Sequence, residues 1–211
     1  MSTAQPPALR IKSHWFKPGA ERSPQDQGRA VAFTVWRVAH TMLKRMRGAD
    51  FDIDAGEPYF DFLRETLVFL IAVLDRVAHA RLDEAARAAF LRALVLHCAD
   101  TLAGNEADLL GPPPADTSRE ERFIALFNEV NGHYAEFGTE AEPPFMPDFA
   151  FLRYLASRLA PTLPPKDRPW VIDQVMAIEA PEAARTVLDA LANLLSNAPR
   201  PARRGNRMSG E

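Results

Sequence analysis

The stretch Arg64-Glu-Thr-Leu-Val-Phe-Leu-Ile-Ala-Val-Leu-Asp-Arg76 decides the fold. Its centre, residues 67–74, is apolar at every position, so a helix through it has no polar side and must be covered all round. A buried strand can also contain such a run, but no glycine or proline brackets this one and strong helix formers flank it. The run is far shorter than the roughly 20 apolar residues that cross a bilayer. It therefore predicts a buried central helix from Pro58 to about Arg81 and no membrane span.

Apolar residues continue at three- and four-residue spacing on both sides of this helix, which is typical of amphipathic helices. Serine, threonine or aspartate at the N-cap and proline in the first turn mark where helices begin. These signals place helix starts at or just after Ser23, Pro58, Asp83, Thr117, Pro147, Pro169 and Pro181. Glycines predict that the first helix ends near Gly48 and the third near Gly104. Because no long segment alternates between apolar and polar residues, the predicted fold is all-α, an irregular bundle of six to seven helices.

The prolines divide the chain into four regions. Pro112-Pro113-Pro114 marks a boundary, since proline lacks the donor that a continuing helix needs. We expect an N-terminal arm over residues 1–22 and a first three-helix half over residues 23–111. A second helical half, residues 112–198, is expected to pack on the first as one compact domain. Residues 199–211, rich in arginine and proline, predict a disordered basic tail.

The two halves share short words that suggest a degenerate duplication of a three-helix unit. Pro-Tyr-Phe-Asp-Phe-Leu-Arg at 58–64 resembles Pro-Asp-Phe-Ala-Phe-Leu-Arg at 147–153. The alternative is chance similarity between helices rich in alanine and arginine. If the duplication is real, Phe60 and Phe149 occupy equivalent places, as do Phe62 and Phe151. The arginines that close the two words then lie at matching solvent-facing edges.

Composition and missing motifs exclude several classes of function. The net charge of −3, with a positive tail, leaves an acidic body, which argues against a nucleic-acid surface on the folded part. One cysteine, Cys98, excludes an internal disulfide and a cysteine-rich zinc site. Phosphate-binding glycine loops, a serine-hydrolase elbow and Glu-x-x-His pairs are all absent from the sequence. We therefore expect no cofactor and no metal, and we favour a protein that is not an enzyme.

Histidine and aspartate on otherwise apolar helices form the candidate ligand site. Asp75 and His79 are four residues apart on the second helix, and His97 and Asp100 are three apart on the third, so each pair shares a helix face. His40 is expected at the boundary of the first helix. These five residues predict a site for a small ligand, a metal or haem. The alternative, which we favour, is that they are structural histidines satisfied by nearby carboxylates.

The segment His14-Trp-Phe-Lys-Pro-Gly19 places large aromatics ahead of the first helix. Trp15 and Phe16 are candidate partner-binding residues, because exposed aromatics often anchor protein interfaces. They could equally clamp the arm onto the protein's own core. No apolar stretch near the start resembles a signal peptide, so we expect a soluble cytoplasmic protein. The sequence thus favours a non-catalytic interaction, adaptor or assembly protein whose partner is another protein. The alternative is a helical binder of a small ligand, metal or haem.

Overall fold

The computed structural model describes residues 22–137 and 145–196. The predicted basic tail and nearly all of the predicted arm, with Trp15 and Phe16, lie outside the described residues. Within the described ranges the chain is helical and has no strand. The helices are α1 Pro24–Gly48, α2 Glu57–Arg81, α3 Glu84–Leu110, α4 Arg119–Ala135, α5 Phe149–Leu159, α6 Arg168–Gln174 and α7 Ala180–Leu195.

Two short elements connect the later helices. A 3₁₀ turn, Ala160–Thr162, follows α5, and a π turn, Val175–Glu179, joins α6 to α7 without a break. The described chain therefore has six continuous helical stretches, the last containing both α6 and α7. The predicted all-α fold is confirmed.

The central position predicted for α2 is also confirmed. Every residue from Phe62 to Asp75 is buried, including the complete apolar run 67–74. Five other helices pack against α2, namely α1, α3, α4, α5 and α7. A helix with no polar side is stable only where neighbours cover it all round, so the rest of the bundle is arranged about this one.

The helix caps agree with the sequence at two starts and differ at a third. Ser23 caps α1 by accepting from the Asp26 amide at 3.2 Å, and Asp83 caps α3 by accepting from the Ala86 amide at 2.8 Å. The prediction that Thr117 caps the fourth helix was wrong. The cap is Ser118, whose hydroxyl accepts from the Glu121 amide at 3.1 Å. Serine and threonine can both cap a helix, and here Ser118 does so because it directly precedes the first helical residue, Arg119.

One predicted boundary was wrong because a tertiary contact overrides a local signal. α3 continues past Gly104 to Leu110, and its added turns bring Glu106 into a buried ion pair with α2. Pro181, which was predicted to start the last helix, lies in the first turn of α7, and α7 follows the π turn without a break. Proline lacks a donor and its ring clashes with the carbonyl four residues earlier. A π turn directly before it changes this spacing, so that the helix continues.

The equivalences expected from a duplication are met only in part. Phe62 and Phe151 are both fully buried, as expected, but the other pairs differ. Phe60 is buried, whereas Phe149 is 67% exposed. Arg64 is buried and ion-paired, whereas Arg153 is exposed. The packing of the helices differs as well. In the first half α1 packs extensively on α3, whereas α4 packs on α2 and α3, and α7 packs on α1 and α2. The halves share the order of three helical stretches but not their internal contacts.

Candidate functional site

The predicted histidine–aspartate pairs do not form. Asp75 is buried on α2, but its two carboxylate oxygens accept from Nε and Nη2 of Arg87 on α3, each at 2.6 Å. His79 is exposed, and so are His97 and Asp100. Across the described ranges, no three His, Cys, Asp or Glu side chains are grouped so that they could hold a metal ion. Binding of a ligand by these residues therefore stays a prediction without a shared site in the structure.

The fifth predicted residue, His40, lies in an aromatic environment. Its ring stacks on Trp36, with centroids 6.5 Å apart and planes 14° apart, and meets Tyr59 of α2 edge-on at 6.3 Å. Burial, and then the charge of Lys44, lowers the pKa of His40 below its ordinary value of 6.5. The imidazole is therefore neutral at pH 7 and contributes an aromatic surface.

Phe33 extends this environment outward. It is 63% exposed, and the guanidinium carbon of Arg37 lies 6.0 Å from the centre of its ring. This is the geometry of a cation–π contact. Such a contact holds the guanidinium in place on the helix surface, so less side-chain entropy is lost when Arg37 meets an acidic group.

These side chains share one side of α1 with two further cations. At 100° per residue, positions 33, 36, 37, 40, 44 and 47 lie within an arc of about 100°. We call this surface the aromatic–basic face, and it consists of Phe33, Trp36, Arg37, His40, Lys44 and Arg47 of α1 with Tyr59 of α2. Gly28 and the other residues of α1 that pack on α3 lie on the opposite side of the helix.

The charge of α1 is unusual for this chain. Residues 27–49 contain five Lys and Arg and no Asp or Glu, whereas the whole chain has 25 Lys and Arg against 28 Asp and Glu. Arg45 points away from the face and pairs with Glu179 and Glu182. Among the residues that the structure describes, no carboxylate forms an ion pair with Arg37, Lys44 or Arg47. Lys and Arg near a helix C-terminus interact favourably with the helix dipole. This interaction accounts for the presence of Arg47 but not for that of Arg37, which lies in the middle of α1.

Buried charges elsewhere link α2 to its neighbours. Glu106 of α3 accepts from Nη2 of Arg64 at 2.5 Å and lies 3.1 Å from Nε of Arg119 on α4. Glu65 accepts from Nε and Nη2 of Arg158 on α5, at 2.9 and 2.5 Å. Both carboxylates have relative exposures below 10%, so their charges persist only with these partners. These pairs hold the helices in register.

A polar contact between α4 and α5 involves another histidine. The Tyr154 hydroxyl and Nδ1 of His133 are 2.6 Å apart. Burial raises the pKa of Tyr154 above its ordinary value of 10.0, so the phenol keeps its proton at neutral pH. The tautomer of the His133 ring decides which of the two groups donates. His133 is exposed and Tyr154 half-buried. The bond connects the end of α4 to the middle of α5.

A cavity of about 220 Å³ opens between α3 and the start of α4. Its lining includes Asp100, Gly104, Pro113, Arg119 and Glu120. Asp100 is the one residue of the predicted ligand site that lines it. Nη1 of Arg119 is buried and has no hydrogen-bond partner within the described part of the chain.

Sequence reasoning placed His40 at a boundary, on the same side of the first helix as Phe33, Arg37 and Lys44. It did not predict that this side is a binding surface, although a signal for it was present. Phe33, Trp36 and His40 have helical spacing. All the charged residues in the surrounding stretch from 27 to 49 are Lys or Arg. Comparison with known proteins adds no assignment. No protein-family model matches this chain, and no curated protein or solved structure does either. Among the described helices, none is both long and apolar enough to traverse a bilayer.

Proposed function

We propose that this chain is a non-catalytic interaction protein, an adaptor or assembly factor, which contacts a partner protein through the aromatic–basic face. The observation that carries the proposal is the exposure of Phe33 beside half-buried Trp36 and His40, on a helix side with three cations that lack a described carboxylate partner. Aromatic residues and arginine dominate the binding energy of protein interfaces. Their grouping on one rigid helix provides a preorganised surface.

The chemistry of the buried carboxylates supports a role other than catalysis. A buried acid acts as a general acid or base only if it can exchange its proton with a substrate. Each of the four buried carboxylates within residues 22–137 and 145–196 is instead bound by arginine. The pairs are Glu65 with Arg158, Asp75 with Arg87, Glu106 with Arg64 and Arg119, and Glu179 with Arg45. Their burial is thus accounted for by helix packing.

We further propose that the protein acts in the cytoplasm and that its folded part does not bind nucleic acid. The single cysteine supports the first point: Cys98 is buried, and burial raises the pKa of its thiol to about 12, as expected for an unreactive thiol in a reducing compartment. The excess of acidic residues outside α1 supports the second.

Site-specific photocrosslinking tests the proposed function. Phe33 is replaced by p-benzoylphenylalanine, and the protein is irradiated in an extract of its source organism. In the matched control the same replacement is made at Leu96, which is also exposed and apolar but lies on α3. We expect one discrete partner protein to be captured at position 33 and not at position 96, with competition by excess unlabelled protein. Equal capture at both positions, or none at position 33, would contradict the proposal.

One observation favours the alternative of a small-ligand protein, namely the cavity that Asp100 and Arg119 line. Neither His79 nor His97 lines this cavity, so it does not unite the predicted histidine ligands. Elemental analysis and an absorbance spectrum of protein purified from its source organism distinguish the alternatives. A stoichiometric metal or a visible absorption band would favour the ligand-binding role.

A further inference from the structure

We infer that the partner segment recognised by the aromatic–basic face is acidic and carries an apolar anchor residue, so that the occupant is an acidic amphipathic segment of another protein. This inference rests on the proposed function and specifies the chemistry of the partner.

Charge complementarity carries the first part of the inference. Arg37, Lys44 and Arg47 occupy one side of α1, within a stretch of 23 residues that has no carboxylate. At ~1.5 Å rise per residue these cations span roughly 15 Å along the helix. Carboxylates spaced three or four residues apart on a partner helix cover the same length. Opposite charges aligned in this way steer the encounter and select the partner by sign.

The aromatic residues carry the second part. Phe33 is 63% exposed, and the Trp36–His40 stack with Tyr59 beside it forms an adjoining half-buried surface. Exposed ion pairs alone contribute little to binding, because water and salt screen them. An apolar side chain that covers these rings also excludes water from the neighbouring cations, which strengthens their attraction to carboxylates.

The charge of the remaining surface favours a protein segment over a nucleic acid. Nucleic-acid binding depends on many phosphate contacts, and this face supplies three cations. Outside residues 27–49 the chain has more Asp and Glu than Lys and Arg, so a long polyanion would be repelled beyond the face. A short acidic segment meets only the cations of α1.

The probe is a displayed library of random twelve-residue peptides, selected on the full chain. Two charge-reversed variants are selected in parallel. Arg37→Glu with Lys44→Glu reverses the face, and Arg92→Glu with Arg185→Glu makes the same change in net charge at exposed positions on α3 and α7. Circular dichroism melts verify that each variant is folded. A fluorescent pool of random 20-nucleotide RNA and sedimentation of the protein alone complete the set.

We expect peptides selected on the unchanged chain to be enriched in Asp and Glu over Lys and Arg and to contain an aromatic residue or leucine. Their affinity should fall about tenfold or more in the variant reversed at the face and less than threefold in the control variant. Selected peptides without acidic enrichment would overturn the inference, as would equal loss in both variants. Tighter binding of the RNA pool, or self-association through this face, would also overturn it.

The two experiments separate the inference from the proposed function. If photocrosslinking at position 33 captures a partner while the selected peptides are not acidic, the interaction function stands and the acidic chemistry is wrong. If acidic peptides bind the face while no partner is captured at position 33, the surface chemistry stands and the proposed function is wrong.

Discussion

Replacement of Gly28 by alanine tests the packing of α1 on α3. A Cβ atom built at Gly28 would lie 2.3 Å from the carbonyl oxygen of Phe90 and 3.1 Å from both Cβ of Ala93 and the amide nitrogen of Leu94. The nearest atom belongs to the backbone, so no side-chain rotation relieves the clash. The two helices would have to separate locally by about 1 Å to restore van der Waals contact.

The magnitude follows from two opposing effects. Alanine in place of glycine within a helix contributes about 1 kcal/mol of stability through backbone entropy. Overpacking against a rigid backbone costs about 3 kcal/mol, the upper part of the usual range. Gly28→Ala should therefore lower the free energy of unfolding by about 2 kcal/mol. Gly104→Ala on α3 is the matched control, since no atom lies within 4 Å of its added Cβ, and it should raise the free energy of unfolding by about 1 kcal/mol.

Urea denaturation followed by circular dichroism at 222 nm measures both values. In thermal melts, a shift of about 2–4 °C per kcal/mol predicts a fall of about 4–8 °C for Gly28→Ala and a rise of about 2–4 °C for Gly104→Ala. If Gly→Ala lowers the free energy of unfolding at position 28 and raises it at position 104, the loss at position 28 comes from the α1–α3 contact. If both variants are stabilised equally, the close approach at Gly28 does not exist in solution.

Three further changes test the interior. Leu70→Ala should cost about 2–5 kcal/mol in urea denaturation, because Leu70 is fully buried on α2, and a loss below about 1 kcal/mol would contradict its central position. Glu106→Leu should cost about 3–5 kcal/mol because it removes the carboxylate that pairs with the buried Arg64 and with Arg119. Combined with Arg64→Met, it should cost less than the sum of the two single variants, and additive losses in this double-mutant cycle would refute the coupling. Burial raises the pKa of Glu179 above its ordinary value of 4.5, so its contribution is fully present below pH 4.5 and is lost as the pH rises through the higher folded-state pKa. The stability of the unchanged chain relative to Glu179→Gln should accordingly increase as the pH falls from 7 towards 4.5, and urea melts with no such trend would contradict this.

Local sequence signals were sufficient for much of the helical framework. The unbroken apolar run of α2 predicted its burial, and the caps Ser23 and Asp83 predicted two helix starts, because each signal acts within one or two helical turns. The same kind of reasoning was wrong at Gly104. There, a long-range ion pair outweighed the local preference of glycine.

The candidate site was predicted less well, because helical spacing shows which residues share a face and not which face is covered. Asp75 and His79 are correctly spaced for contact, but both carboxylate oxygens of Asp75 accept hydrogen bonds from Arg87 of α3 instead. Of the five predicted ligand residues, only His40 lies on the aromatic–basic face. Phe33 was not among the predicted site residues, and its exposure became evident only in the structure, where α3 packs on the opposite side of α1.

The sequence by itself determined that this chain is all-α, where α1 and α3 begin, and that α2 lies at the centre, since hydrophobic periodicity and capping depend on residues a few positions apart. Only the tertiary structure decided which charges are buried and which aromatics remain exposed. Besides its local ion pair with Asp61, Arg64 pairs with Glu106, 42 positions away, and Glu65 pairs with Arg158, 93 positions away. Pairs this distant in sequence form because the chain folds back on itself, and no local pattern specifies them. The same packing covers one side of α1 and leaves Phe33 and its neighbouring cations facing outward.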